Sequence, residues 1–411
     1  MTLLRAATLN VGRNRRRTML TLALMCVGIA GLVVNDGLIR FIFDGLRDEA
    51  IFGRYGHIQI YKQGYLANHA ASPYDFLIPD ADYRSVRTQL LRDSAITSVV
   101  ADLNVPVMLQ SGKQTATGIA LGVDSVAIAS HPQTKLMSGS MDLTSSGAVP
   151  PILLGRGMAE RLHVSPGQII TVMTTSRDGS YNASDVQVRG IFEEGFRDYD
   201  NWSVKLPLKT LQGLIGQDSV ERLLVFVGEM QDVSKVRNFV HSPALNSETK
   251  LESTTWYDLA SFYKEVVAMF GKELGAIKFI IESITFLAFA SFLAMSFTER
   301  RQETAVLLAL GMSKWQLARM FVYESLLLGF FGAVLGSVVG VVIAKAVSVV
   351  GIPMPPPPGS TAPFTARVEI NGPPIAEYCL YTIVVSIVAA ALLSVWIWRL
   401  DVPTALRQVE G

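Results

Sequence analysis

Four long apolar runs, separated by one long polar stretch, constrain the fold of this chain more than any other feature. A helix needs about 20 apolar residues to cross the hydrocarbon layer of a membrane. The four runs are Thr18–Val34, Ala276–Phe297, Met320–Val350 and Ile375–Trp398. Only 17% of the residues are charged, whereas soluble domains carry about 25%. We predict an α-helical membrane protein with four transmembrane helices plus a large α+β extracytoplasmic domain on stalk helices.

Basic residues cluster beside these runs and predict their direction, because Lys and Arg in short flanks stay in the cytoplasm. The clusters are Arg5, Arg13 and Arg15–Arg17 before the first run, Arg300, Arg301, Lys314 and Arg319 between the second and third, and Arg399 and Arg407 after the fourth. We therefore expect both termini and the middle loop to be cytoplasmic. The predicted segments are the cytoplasmic start 1–17, transmembrane helix 18–36, the extracytoplasmic domain 37–274, transmembrane helix 275–297, the cytoplasmic coupling loop 298–319, transmembrane helix 320–350, the proline-rich external loop 351–374, transmembrane helix 375–398 and the cytoplasmic tail 399–411.

The long polar stretch has the pattern of a mixed domain. Short runs rich in β-branched residues predict strands, namely HIQIY, IITVMTT, DVQVRGIF and RLLVFV. The segments GRGMAERLHV and PLKTLQGLI predict helices, and GFRDYDNW predicts a polar turn. Thr255 and Asp258 have the spacing of a capping box, so we expect a helix to start there.

No catalytic or nucleotide-binding motif stands out in the sequence. The five histidines are scattered and form no HExxH pair, and there is no GxSxG segment. A GxxxxGK[ST] loop is also missing, so the chain cannot hold nucleotide phosphates by that route. The net charge of +1 gives no overall field that would favour nucleic acid. We expect a chain that is not an enzyme, binds no nucleic acid and holds no metal or cofactor of its own.

Two patterns within the apolar runs predict helix packing. Gly332, Gly336 and Gly340 recur every four residues, which lets a neighbouring helix of the same or a second chain approach closely. Ionisable residues predicted within the spans are Lys278, Glu282, Glu324 and Lys345. Lys278 and Glu282 lie one helical turn apart and can form an ion pair, either as a structural contact or as part of an ion pathway.

The segment between the second and third runs predicts a helical elbow. A short helix over Glu299–Leu310 would have a charged first turn and an apolar second half, and Gly311 would end it. Ser313 and Gln316 have the spacing of a capping box that starts the next helix.

The segment ERRQETAVLLALGMSKWQLARMFVYESLLLGFFGAVLG, residues 299–336, resembles the MacB/FtsX-type (type VII) permeases of ABC transporters. The opening LNVGRNRRRTMLTLALMCVGIA and the ending RLDVPTALRQ resemble the same family. Within the polar stretch, ILLGRGMAERLHVSPGQIITV and VRGIFEEGFRDYDNWSVKLPLKTLQGLIG are similar to its lipoprotein-releasing LolC/LolE branch.

This resemblance implies a multi-pass permease of the bacterial inner membrane, surrounded by lipids, that works with other subunits. Two permease chains, identical or different, would assemble with two copies of an ABC ATPase that binds ATP and Mg, and a periplasmic adaptor or carrier is a further candidate partner. The elbow residues implied to couple to the ATPase are Glu299, Arg300, Arg301, Glu303, Leu307, Leu310 and Gly311.

Two functions stay open from the resemblance. ATP-driven motion of the external domain, called mechanotransmission, would export or extract a lipophilic or peptide-like substrate such as a lipoprotein. Alternatively, an FtsX-like regulator would pass the ATPase stroke to an external cell-wall hydrolase and transport nothing. The proline-rich loop 351–374 is either a semi-rigid spacer or an element that contacts substrate or partner.

Overall fold

The computed structural model describes residues 15–72, 74–124, 134–144, 148–195, 197–242, 245, 250–355 and 364–398. Most of the two predicted cytoplasmic ends and the prolines at 356–358 lie outside these residues. The chain divides into two compact units. The helical unit comprises Met1–Asp44, Val266–Pro353 and Thr365–Gly411, and the sheet unit comprises Gly45–Glu265 and Met354–Phe364.

The helices are numbered here in chain order. They are α1 (Arg15–Ala50), α2 (Tyr65–Asn68), α3 (Asp80–Leu90), α4 (Arg156–Leu162), α5 (Arg197–Trp202), α6 (Leu208–Ile215), α7 (Asp232–Val240), α8 (Trp256–Leu259), α9 (Ser261–Glu299), α10 (Arg301–Ala309), α11 (Lys314–Val350) and α12 (Gly372–Trp398). A single π-helical turn, Ile51–Tyr55, follows α1.

Four helices within the described residues are long and apolar enough to cross a membrane, over Thr18–Tyr55, Ser261–Glu299, Lys314–Val350 and Gly372–Leu392. The predicted stalk helices are continuous with the first two spans, since α1 continues to Ala50 and α9 begins at Ser261. At about 1.5 Å per residue, both helices exceed the ~30 Å hydrocarbon layer. The predicted fold class, four apolar helices with a large α+β domain, is confirmed.

The strands are β1 (Ile58–Lys62), β2 (Ile78–Pro79), β3 (Ile96–Ser111), β4 (Gln114–Val123), β5 (Lys135–Gly139), β6 (Pro151–Gly155), β7 (Ile169–Thr175), β8 (Tyr181–Glu193), β9 (Ser203–Pro207), β10 (Ser219–Val220), β11 (Arg222–Val227), β12 (Leu251–Thr255), β13 (Ile352–Met354) and β14 (Phe364–Ala366). Ten of them form one sheet in the order β12-β1-β11-β3-β4-β9-β6-β8-β5, and β7 pairs with both β3 and β8. Most neighbours are antiparallel, but β4 with β9 and β6 with β8 are parallel.

Alternation along the strands decides which side chains are buried on each face of this sheet. In β11, Leu223 and Val225 join the main core. Leu224 and Phe226 join a second cluster with Trp256 on the opposite face. Both faces are covered along this strand, which explains why RLLVFV reads as a continuous apolar run.

Two local predictions for the sheet unit have different outcomes. The capping box of Thr255 and Asp258 is confirmed, but it caps the four-residue helix α8, and α9 begins only at Ser261. The predicted polar turn in GFRDYDNW is wrong, because Arg197–Trp202 form helix α5. Asp200 is buried there and its carboxylate accepts the backbone N–H of Glu194 at 2.8 Å, a contact that local sequence pattern does not reveal.

Candidate functional site

The candidate site is the elbow where α9, α10 and α11 follow one another. The predicted helix start at Glu299 is wrong, because α9 itself runs to Glu299 and α10 begins at Arg301. Arg300 separates them with φ −98° and ψ 12°, outside the ordinary helical range. A bend therefore lies at one residue, with no flexible loop between the second span and the elbow helix.

The end of α10 and the start of α11 agree with the sequence. Gly311 has φ +94°, a conformation that favours glycine. Its N–H donates to the carbonyl of Leu308 at 3.1 Å. The Ser313 hydroxyl accepts the N–H of Gln316 at 3.2 Å, and the Gln316 side chain accepts the N–H of Ser313 at 3.0 Å. The predicted helix end and capping box are both confirmed.

The elbow exposes both large apolar and charged side chains. Leu310 is 79% exposed, Trp315 64% and Val306 46%. Glu299, Glu303 and Gly311 are also exposed, and Arg301 is half-buried. We call the set Glu299, Glu303, Val306, Leu310, Gly311 and Trp315 the elbow surface. The sequence prediction missed Val306 and Trp315; a tryptophan that follows a capping serine and lies outside the apolar run was the available signal for the latter.

Two of the predicted coupling residues lie inside instead. Leu307 is half-buried and packs against a cluster made by Phe297, Ala305, Leu317, Ala318, Met320 and Phe321. Arg300 is only 8% exposed, and its Nη1 lies 3.1 Å from Oε2 of Glu324 on α11. The charged turn after the second span is therefore not wholly exposed, because Arg300 is buried and paired with a carboxylate on the next span.

The glycine face of α11 contacts the first span of the same chain. A Cβ on Gly332 would lie 2.9 Å from Sδ of Met25, and one on Gly336 would lie 2.8 Å from Cβ of Ile29. At Gly340 the nearest atom would be Cα of Ala30 at 3.0 Å. A side chain at Gly336 would clash with Ile29, and side chains at Gly332 and Gly340 would require their neighbours to shift, so the structure places the close helix approach between α1 and α11.

The ion pair predicted between Lys278 and Glu282 is not the one in the structure. Nζ of Lys278 lies 2.9 Å from Oε1 of Glu377 on α12. Glu377 was overlooked as an ionisable residue of the fourth span. A partner on a neighbouring helix outcompetes the residue one turn away, and spacing along a single helix cannot reveal it.

The described residues outside the elbow offer weaker candidates for a metal or ligand site. No three His, Cys, Asp or Glu side chains of these residues group as a metal site. The sheet unit has a cleft of about 360 Å³ over β3, β4, β9 and β11. Two of its cations are paired, Arg222 with Asp102 at 2.7 Å and Lys205 with Glu194. Arg54, which is exposed, also lines the cleft.

Comparison with known protein families gives two matches that together cover most of the chain. Residues 18–240 match the MacB-like periplasmic core domain, and residues 275–402 match the FtsX-like permease C-terminal domain. The chain belongs to the MacB/FtsX family of ABC transporter permeases. The second match includes the elbow and the glycine face.

Individual relatives of this permease are distant. It is 25% identical over 218 residues to the lipoprotein-releasing system transmembrane protein LolC of Xylella fastidiosa, an alignment that spans 51% of each chain. It is 26% identical over 153 residues to an uncharacterized ABC transporter permease of Methanocaldococcus jannaschii, over 36% of this chain and 41% of that one. The chain therefore spans about half the length of the LolC relative, 51%, and 41% of the length of the archaeal permease.

Among solved structures, the periplasmic region of MacB from Actinobacillus actinomycetemcomitans is similar. The superposition has a TM-score of 0.37 at 13% identity and covers 53% of this chain and 95% of that one.

Proposed function

We propose that this permease couples ATP hydrolysis by a separate ATPase subunit to movement of its external domain, and that the elbow surface is where the ATPase docks. The observation that carries the proposal is the exposure of Leu310 and Trp315, at 79% and 64%. Large apolar side chains rimmed by charge mark interaction sites on protein surfaces. Tryptophan is also among the commonest energetic anchors of such interfaces.

The helices on either side of the elbow support the coupling role. Only Arg300 separates α9 from α10, and only residues 310–313 separate α10 from α11. The N–H of Arg300 donates to the carbonyl of Ser296 in α9 at 3.3 Å, and the carbonyl of Arg300 accepts the N–H of Thr304 in α10 at 2.9 Å, so the residue at the bend is hydrogen-bonded to both helices. Displacement of α10 would therefore be passed directly into two long helices.

The remaining subunits and the topology belong to the same proposal. ATP and Mg would bind to two ATPase copies, and a second permease chain, identical or different, would complete the bundle. The basic flanks support cytoplasmic termini and a cytoplasmic elbow in the bacterial inner membrane, with the boundaries given above. A lipid environment follows from the four apolar helices.

For the substrate, we propose a lipophilic or peptide-like molecule such as a lipoprotein, extracted or exported by mechanotransmission. The similarity to LolC, whose name refers to lipoprotein release, supports this class. Proteoliposomes that contain the permease and its ATPase should release a fluorescent acylated peptide to an external acceptor when ATP is added. If ATP is hydrolysed but nothing is released, while an external hydrolase becomes active, the FtsX-like regulator is the correct function.

Docking at the elbow surface is tested by replacing Leu310 and Trp315 with Ala. Loss of such anchors costs about 2 kcal/mol or more each, so ATPase binding should weaken at least tenfold. Met295→Ala is the matched control, because Met295 is also a large apolar side chain, 56% exposed on α9, and lies outside the elbow surface. Glu299→Lys with Glu303→Lys should keep membrane insertion but lose ATPase stimulation. Wild-type ATPase binding by the Leu310 and Trp315 variants would refute the proposed docking site.

A further inference from the structure

The bend between α9 and α10 is held by a buried ion pair. Arg300 is the residue at the bend, and its Nη1 lies 3.3 and 3.1 Å from the two carboxylate oxygens of Glu324. The two side chains are 10% and 5% exposed. Glu324 lies in α11, 24 positions further along the chain. The contact therefore links the junction of α9 and α10 to the third span.

An apolar cluster joins the same three helices, α9, α10 and α11. The rings of Phe297 on α9 and Phe321 on α11 meet edge to face, with centroids 5.8 Å apart. Ala305 of α10 is fully buried in the same cluster. Because low-dielectric surroundings strengthen charge interactions, a broken pair would leave a costly buried charge on either side. The elbow thus has one strongly favoured geometry.

We infer that Arg300 and Glu324 are positioning residues that fix the angle of α10 relative to α9 and α11, so that a push on the elbow surface moves both spans together. Arg300 contributes the cation at the bend itself, and Glu324 contributes the anion on the third span. Without this pair, α10 could tilt about Arg300 while the spans stay in place. This inference rests on the proposed coupling function. It adds that the ATP-driven movement depends on the pair of Arg300 and Glu324, which lies outside the elbow surface where the ATPase docks.

The first test measures geometry without the ATPase. Spin labels at Glu303 and Arg319, both exposed, report the angle between α10 and α11 in a variant that lacks Cys26 and Cys379. We expect Glu324→Gln and Arg300→Gln to broaden the distance distribution. The charge swap, Arg300→Glu with Glu324→Arg, should narrow it again. Glu377→Gln is the matched control, because it removes the ion pair of Lys278 between α9 and α12.

The second test measures coupling in the complex of permease and ATPase. Glu324→Gln should retain ATPase binding, since the elbow surface is unchanged, but ATP-dependent movement or release should fall at least about tenfold, as expected when a buried charge loses its partner. Arg300→Lys should retain part of the coupling and the charge swap should restore most of it. Glu377→Gln should behave like wild type.

Several results would overturn the inference. Unchanged spin-label distances in Glu324→Gln, or full coupling in that variant, would show that the pair does not position α10. Failure of the charge swap to restore either readout in a folded, ATPase-bound complex would assign the effect to local packing. If the wild-type permease binds no ATPase, the proposed function fails, whereas the spin-label result still decides whether the pair fixes the bend.

Discussion

The sheet unit and the helical unit of this permease are stabilised in different ways. In the sheet unit, large side chains such as Phe192 and Ile152 are fully buried, and the strands pair through backbone hydrogen bonds. In the helical unit, glycines of α11 pack directly against α1, and large side chains such as Phe279 are 70% exposed. Burial from water is the main driving force for the first unit. Close packing and polar contacts replace it where lipid surrounds the helices.

This difference indicates where each unit is sensitive to substitution. Removal of a large side chain should matter most in the sheet unit, because it leaves a cavity. Addition of a side chain should matter most at the glycine face of α11, because no space exists there. The following predictions test that contrast, from the largest expected effect to the smallest.

The largest effect is expected for Phe192→Ala. Phe192 is 0% exposed, and Nζ of Lys205 lies 4.6 Å from its ring centre. Loss of a buried Phe costs about 3–5 kcal/mol, which should appear as lost hydrogen-exchange protection in β6, β8 and β9. Phe279→Ala in α9 is the matched control and should leave exchange nearly unchanged. Equal effects of the two substitutions would remove the contrast between the units.

The converse substitution, Gly336→Leu, should destabilise the helical unit by about 1–3 kcal/mol, the usual cost of overpacking. A Cβ there would also lie 3.2 Å from Cα of Cys26. The thermal unfolding midpoint of the purified permease in detergent should fall. Val338→Leu, at a position 56% exposed on the same helix, should leave it unchanged. If both variants are equally stable, the glycine face is not a close contact.

A smaller effect is expected from the two capping boxes, one in each unit. Ser313→Ala removes the acceptor for the N–H of Gln316, and Thr255→Ala removes the equivalent acceptor for Asp258. Each change should cost about 1 kcal/mol. Hydrogen exchange should increase only in the first turn of α11 or in α8, respectively. An effect of Ser313→Ala that spreads through the whole of α11 would contradict a purely local role.

The smallest effect at neutral pH concerns His57 in the sheet unit. Burial lowers the pKa of its imidazole from 6.5 to about 4, which nearby Asp48 only partly opposes. Between pH 4 and 6.5 the unfolded chain therefore binds more protons than the folded one. The free energy of unfolding should have its full value above pH 6.5 and decrease as the pH falls toward 4. His57→Gln should reduce this pH dependence in urea unfolding. An unaltered profile in that variant would show that His57 does not titrate in this way.

Much of the sheet unit could be predicted from sequence because its signals are local. IITVMTT and RLLVFV coincide with β7 and β11. In the helical unit, the local patterns around Ser313 and Gly311 also predicted the cap and the helix end correctly. Two errors are local, the polar turn predicted over α5 and the helix start predicted at Glu299. The others concern contacts between distant segments. The partners of Arg300 and Lys278 lie 24 and 99 positions away. Helical spacing cannot identify such partners, so the inward position of Arg300 required the structure.

Site-specific photocrosslinking tests the central claim, ATPase docking at the elbow surface, most directly. A photoreactive amino acid would replace Leu310 or Trp315 in cells that also produce the ATPase. Val349 is the matched control, because it is 87% exposed near the opposite end of α11. The proposed function predicts ATPase adducts from positions 310 and 315 and none from 349. Adducts from none of the three positions, or from position 349 alone, would contradict it.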